Sequence, residues 1–124
     1  MYYFCSKEKF ESGTILKPRI PVYLIKNEDC TTKRICCSTS IDGCLSSINN
    51  FNQNDQVHVY TIEPLFENHI VYPSENQVMD APITGEAWIT CDAQLQYYGT
   101  LEIFDIFPRE IGLRFVDSYS YEFI

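Results

Sequence analysis

Apolar and aromatic side chains alternate with polar ones over most of this sequence, the spacing of two that suits β-strands. Tyr2–Ser6 is a short aromatic strand candidate, and the pattern runs through residues 57–62 (VHVYTI), 70–72 and 86–90 (EAWIT). It continues through 94–107, with a break expected near Gly99, and through 114–123. Residues 34–38 carry the apolar run Ile35-Cys36-Cys37 and read as a buried strand, with 22–25 as a shorter one. One stretch changes period. Ile41, Cys44, Leu45 and Ile48 fall at helical spacing on one face. Ser38, Thr39 and Ser40 precede it as cap candidates, Asp42 suits its first turn, and Asn49-Asn50 are expected to end it.

Between these elements the chain is punctuated. Pro18 and Pro21 forbid helix around Arg19 and hold the backbone extended. Residues 73–85, with Pro73, Pro82 and Gly85, form the longest irregular stretch and are expected to make a lid or a packed crossing loop. The whole predicts an α+β class: a single β-rich domain over residues 1–124, with one or two short helices.

Charge changes the picture more than composition does. The net charge is −8, from 9 Lys and Arg against 17 Asp and Glu. Residues 1–34 hold seven of the cations and net +3, whereas residues 35–108 contain no Lys or Arg and net −10. A long polyanion is a poor partner for such a chain, so direct nucleic-acid binding is not expected. Lys17, Arg19, Lys33 and Arg34 could instead converge on one small anion, while the acidic stretch could be a solvated face or could occupy a basic surface on another protein. No apolar run is long enough to span a membrane, and MYYFCSKEKF lacks the order of an export signal, so a cytoplasmic location is expected.

Metal and nucleophile chemistry find little support. The six cysteines include no Cys-x2-Cys pair, His58 and His69 stand apart from them, and reduced thiols are expected in the cytoplasm. Cys30 or Cys91 with His58 would be the nominal thiol–imidazole pairs, without a local signature. No glycines lie in a phosphate-cradling arrangement.

One constellation stands out. An aromatic first strand holds Tyr3 and ends in Ser6. Leu16-Lys17-Pro18-Arg19 follows, then Arg34 leads through Ser38-Thr39-Ser40 into the helix, and Gly85-Glu86-Ala87-Trp88 opens a late strand. Hydroxyls and N–H groups at a helix start favour an anion or ribose hydroxyls, and arginines add bidentate phosphate contacts. Over residues 1–50 and 83–106 this order resembles the ADP-ribosyltransferase-like fold, particularly small bacterial and phage proteins that begin with a Tyr-His-x-Ser-type strand. The resemblance implies split antiparallel sheets whose cleft holds NAD or an ADP-ribose derivative. It also implies a pocket shaped by Ser38, Thr39 and Ser40, and Glu86 as the residue that orients the ribose. Phe4 stands where the family's cofactor-gripping His would be, and Ala87 and Trp88 follow Glu86 in place of a Glu-x-Glu pair.

Two functions are therefore expected. The first is binding of an NAD-derived or ADP-ribose-type nucleotide through Tyr3, Ser6, Arg19, Arg34, Ser38, Thr39, Ser40 and Trp88. Here a sequestering or inhibitory binder is favoured over a divergent transferase using Glu86. The alternative is an acidic protein–protein inhibitor of the phage anti-defence type, mimicking nucleic acid to cover a basic surface on a host nuclease or effector. Self-association through Tyr97-Tyr98 or residues 119–123 is a further expectation.

Overall fold

The computed structural model describes residues 1–21, 30–46, 48, 52, 54–73, 84–106 and 111–118. The period-two segments become strands: β1 (Tyr2–Ser6), β2 (Ile15–Leu16), β3 (Ile35–Ser38), β4 (Gln56–Pro64), β5 (Ile70–Val71), β6 (Glu86–Ile89), β7 (Ala93–Ile106) and β8 (Ile111–Ser118). The helical spacing becomes α1 (Ile41–Leu45). Ser40 caps it, its hydroxyl accepting from the Gly43 N–H, and Asp42 sits in the first turn as expected.

Three boundaries differ from expectation. The helix stops at Leu45 rather than reaching Asn49, because Gly43 weakens it and Ser46 closes it, donating its hydroxyl to the Gly43 carbonyl at 2.6 Å. Ile48 still packs with the helix on the sheet. The long strand does not break at Gly99. It stays paired and absorbs an extra residue as a bulge, since Tyr60 pairs with Tyr97 but Val59 with Gly99, leaving Tyr98 unmatched. The last strand, described over Ile111–Ser118, begins three residues before the expected Arg114. The strand expected at 22–25 and most of the 73–85 loop lie outside the described residues, as do residues 119–123.

All eight strands belong to one antiparallel sheet, ordered β2-β7-β4-β1-β3-β6-β5 with β8 also on β7. It is continuous rather than split, but its continuity is thin. β1 and β4 share five register pairs and β3 and β6 share four, whereas β1 meets β3 only at Tyr3↔Ser38. Beyond that pair, the edge of β3 is met by a different segment: Arg19 forms an isolated bridge with Arg34, each N–H donating to the other's carbonyl. Because Arg19 lies three residues past β2, backbone pairing runs full circle from β2 through β7, β4, β1 and β3 and back.

The core fits this closure. Ile35, Cys37, Ala87 and Ile89 from β3 and β6 pack with Tyr60, Ile62, Ala93 and Leu95 from β4 and β7, all 5% exposed or less. The two halves of the sheet thus bury the same face against each other, each large aliphatic side chain contributing roughly 1.5–3 kcal/mol. Phe10 joins this core, its N–H donating to the Tyr60 hydroxyl, which donates to its carbonyl. On the opposite face, Leu45 of α1 covers Val57, Val59 and Leu101, with Tyr3, Cys5 and Ile41 alongside. β4 is covered on both faces, which explains why nearly all of VHVYTI is buried.

Candidate functional site

The seam between β1 and β3 gathers most of the predicted residues. Strand alternation and register place Arg34 and Ser38 from the β3 segment, Glu86 and Trp88 from β6, and Tyr3 from β1 on the face away from the main core. Arg34, almost fully buried, sets its guanidinium carbon 4.1 Å from the centre of the Trp88 ring and donates to the Thr32 carbonyl at 2.9 Å. The buried Trp88 indole in turn donates its N–H to the half-buried Glu86 carboxylate at 2.8 Å. Arg34, Trp88 and Glu86 therefore form one connected line of side chains.

The hydroxyls of the Ser-Thr-Ser segment divide their work. Ser38, buried, donates to the Thr84 carbonyl at 2.7 Å and accepts from the Ser40 N–H at 3.2 Å. Ser40 is the helix cap. Thr39 is exposed, and its N–H bonds to the Gly85 carbonyl at 3.2 Å. The expected gift of Ser38 and Ser40 hydroxyls to a ligand meets these prior bonds, and α1, five residues long, supplies little dipole. Gly85 sits at φ +69°, where a Cβ would come 2.4 Å from the Thr39 hydroxyl, so the turn into β6 requires glycine.

Cations mark the other end of the seam. The antiparallel Arg19↔Arg34 bridge has Lys33 next to it on one segment and Lys17 two residues away on the other, and Lys17, Arg19 and Lys33 are exposed. Among the described residues none of these three is in an ion pair, while the pair that does form joins Lys7 to Asp55 at 3.3 Å. From Arg34 to Ser38 the strand spans about 13 Å.

Ser6 is not brought to this group. It pairs with His58 at the far end of β1, and its hydroxyl accepts the Glu8 N–H at 3.0 Å. His58 is buried, its Nδ1 2.9 Å from the Thr100 hydroxyl; burial first and the charge of Lys9 second hold it below its usual pKa. Neither Cys30 nor Cys91 is bonded to it, and no cluster of potential metal ligands occurs among the described residues. No described helix is long and apolar enough to cross a membrane.

Sequence reasoning missed an aromatic row beside the seam. The Tyr3 and Tyr98 rings meet edge-on at 5.8 Å, and Phe115 of β8 lies 5.9 Å beyond Tyr98. The available signal was Gly99 beside Tyr97-Tyr98, which marks the bulge. Comparison with protein-family models, with curated proteins and with solved structures returns no match for this chain.

Proposed function

We propose that this protein binds a small anionic nucleotide of the NAD-derived or ADP-ribose type along the β1–β3 seam. The observation that carries the reading is the Arg19↔Arg34 bridge. In a chain of net charge −8 it holds the exposed Arg19 at one end of a seam fastened at the other by Tyr3↔Ser38, with the exposed Lys17 and Lys33 close by in sequence. A field of that sign suits phosphates, and the short span suits one small ligand rather than a polymer.

Binding without efficient turnover is the better reading. Glu86, to which the resemblance gives the catalytic role, accepts the Trp88 N–H, and Phe4 occupies the first-strand cofactor position. A sequestering or inhibitory protein needs no more than affinity. The test is thermal unfolding with NAD, ADP-ribose and cyclic ADP-ribose derivatives. Ligand at a hundred times its Kd adds about 2.7 kcal/mol, so Tm rises by several degrees, and Arg19→Ala removes the rise. No shift with any of the three refutes the proposal.

A second reading draws on a different surface. Leu65, Phe66, Val71 and Tyr72 are exposed, with Glu63 and Glu67 exposed in the same stretch. Apolar anchors amid acids suit docking on a basic surface of a host protein. Such a complex would weaken steeply with salt and with Phe66→Ala, and a salt-insensitive complex would count against it.

A further inference from the structure

We infer that Tyr98 and Phe115, with Tyr3, form the platform on which the ligand's planar base rests; this builds on the nucleotide reading above and assigns the base a place. The bulge in β7 is what makes the platform. With Tyr97 paired to Tyr60 and Gly99 to Val59, Tyr98 is the residue left over. Tyr97 turns toward the core, its ring 5.8 Å from Tyr60 and its hydroxyl bonded to that of Thr100. Tyr98 instead stands 37% exposed between Tyr3 and the 40% exposed Phe115.

Three facts favour a base over other uses of this row. First, Tyr3 belongs both to the row and to the pair that fastens the seam, so the row begins where the seam ends. Second, Trp88 is fully buried under Arg34 and has no face to offer. Third, β7, which carries Tyr98, has no Lys or Arg of its own. An occupant that uses both ends must be aromatic at one and anionic at the other, as a nucleotide is. Stacking on a ring tolerates any base, so the platform sets ligand class rather than base identity.

Isothermal titration with two probes tests this: ADP-ribose, which has the base, and ribose 5-phosphate, which lacks it. Tyr98→Ala and Phe115→Ala should each weaken ADP-ribose roughly fivefold to a hundredfold and leave ribose 5-phosphate unchanged. Tyr98→Phe should restore ADP-ribose binding because it keeps the ring. Arg19→Ala should weaken both probes. Undiminished ADP-ribose binding by Tyr98→Ala, or equal losses for the two probes, overturns the platform while the seam reading stands. Failure of the unmutated protein to bind either probe overturns both. A Tyr98→Ala effect confined to self-association, read by sedimentation, assigns the row to a second copy and likewise overturns the platform.

Discussion

Arg34 lies over Trp88 with its guanidinium carbon 4.1 Å from the ring centre, and both side chains are almost wholly buried. A desolvated pair of this kind is worth about 2 kcal/mol or more. It also ties the cationic end of the seam, through Trp88, to Glu86. Trp88 is the chain's one tryptophan, so intrinsic fluorescence reports on it directly. Arg34→Ala should shift the emission to the red and cost about 2–4 kcal/mol in urea unfolding. Arg34→Lys should recover only part of that loss, since an ammonium cannot stack flat. Unchanged emission and stability in Arg34→Ala would contradict the pairing.

Gly43 offers a prediction of opposite sign to the one helix propensity makes. Replacing a mid-helix glycine by alanine ordinarily gains up to about 1 kcal/mol. Here a Cβ at Gly43 would meet the Thr84 carbonyl at 1.9 Å, the Ser38 hydroxyl at 2.3 Å and the Ser40 hydroxyl at 3.0 Å. Gly43→Ala should therefore destabilise, by about 1–3 kcal/mol, because the Thr84 carbonyl and the buried Ser38 hydroxyl bonded to it must both give way. Ser40→Ala removes only the cap and should cost about 1 kcal/mol. Denaturant midpoints of the two variants rank these effects.

Thiol reactivity should separate the cysteines by burial. All six are free, with Cys30 exposed and Cys37 and Cys44 buried. Burial pushes the Cys37 thiol far above its usual range, and the bond to Cys44, followed by burial, does the same for Cys5. An aromatic disulfide reagent at pH 8 should label Cys30 rapidly and Cys37, Cys44 and Cys5 only after unfolding. Mass mapping of the native protein checks the order; early labelling of Cys37 would contradict its place in the core beside Ala87 of β6.

Much of this arrangement is legible in the residues themselves. Tyr2–Ser6 and the strand at Ile35–Ser38 follow from short aromatic and apolar runs, and Ser40 as cap follows from its hydroxyl preceding a helical period. Gathering Arg19, Arg34, Ser38, Glu86 and Trp88 along one seam was legible only as an order of residues. Their side-chain bonds depend on the register of β3 against β6, which no local rule supplies. Arg34 reads as a surface cation in sequence because its burial needs an indole from residue 88. Tyr98 could not be told from Tyr97 until the pairing of β4 with β7 showed which one is unmatched.

His58 makes stability depend on pH in a window that follows from its environment. Burial, then the charge of Lys9, lowers its folded-state pKa below the unfolded value of about 6.5. Above that value both states are neutral there and stability is flat. As pH falls through it, the unfolded chain takes up the proton first, so stability is lost until pH passes the folded-state pKa. The slope from this one group cannot exceed about 1.4 kcal/mol per pH unit. Asp55 acts separately: the Asn52 N–H first, and Lys7 after it, lower its pKa. Its contribution is therefore held above the unfolded value near 3.8 and lost as pH falls through the folded one. Urea unfolding at pH 8, 6.5 and 5 should show a decline confined to the lower interval, and His58→Gln should flatten it. A decline of equal size in His58→Gln would assign the proton uptake to another group.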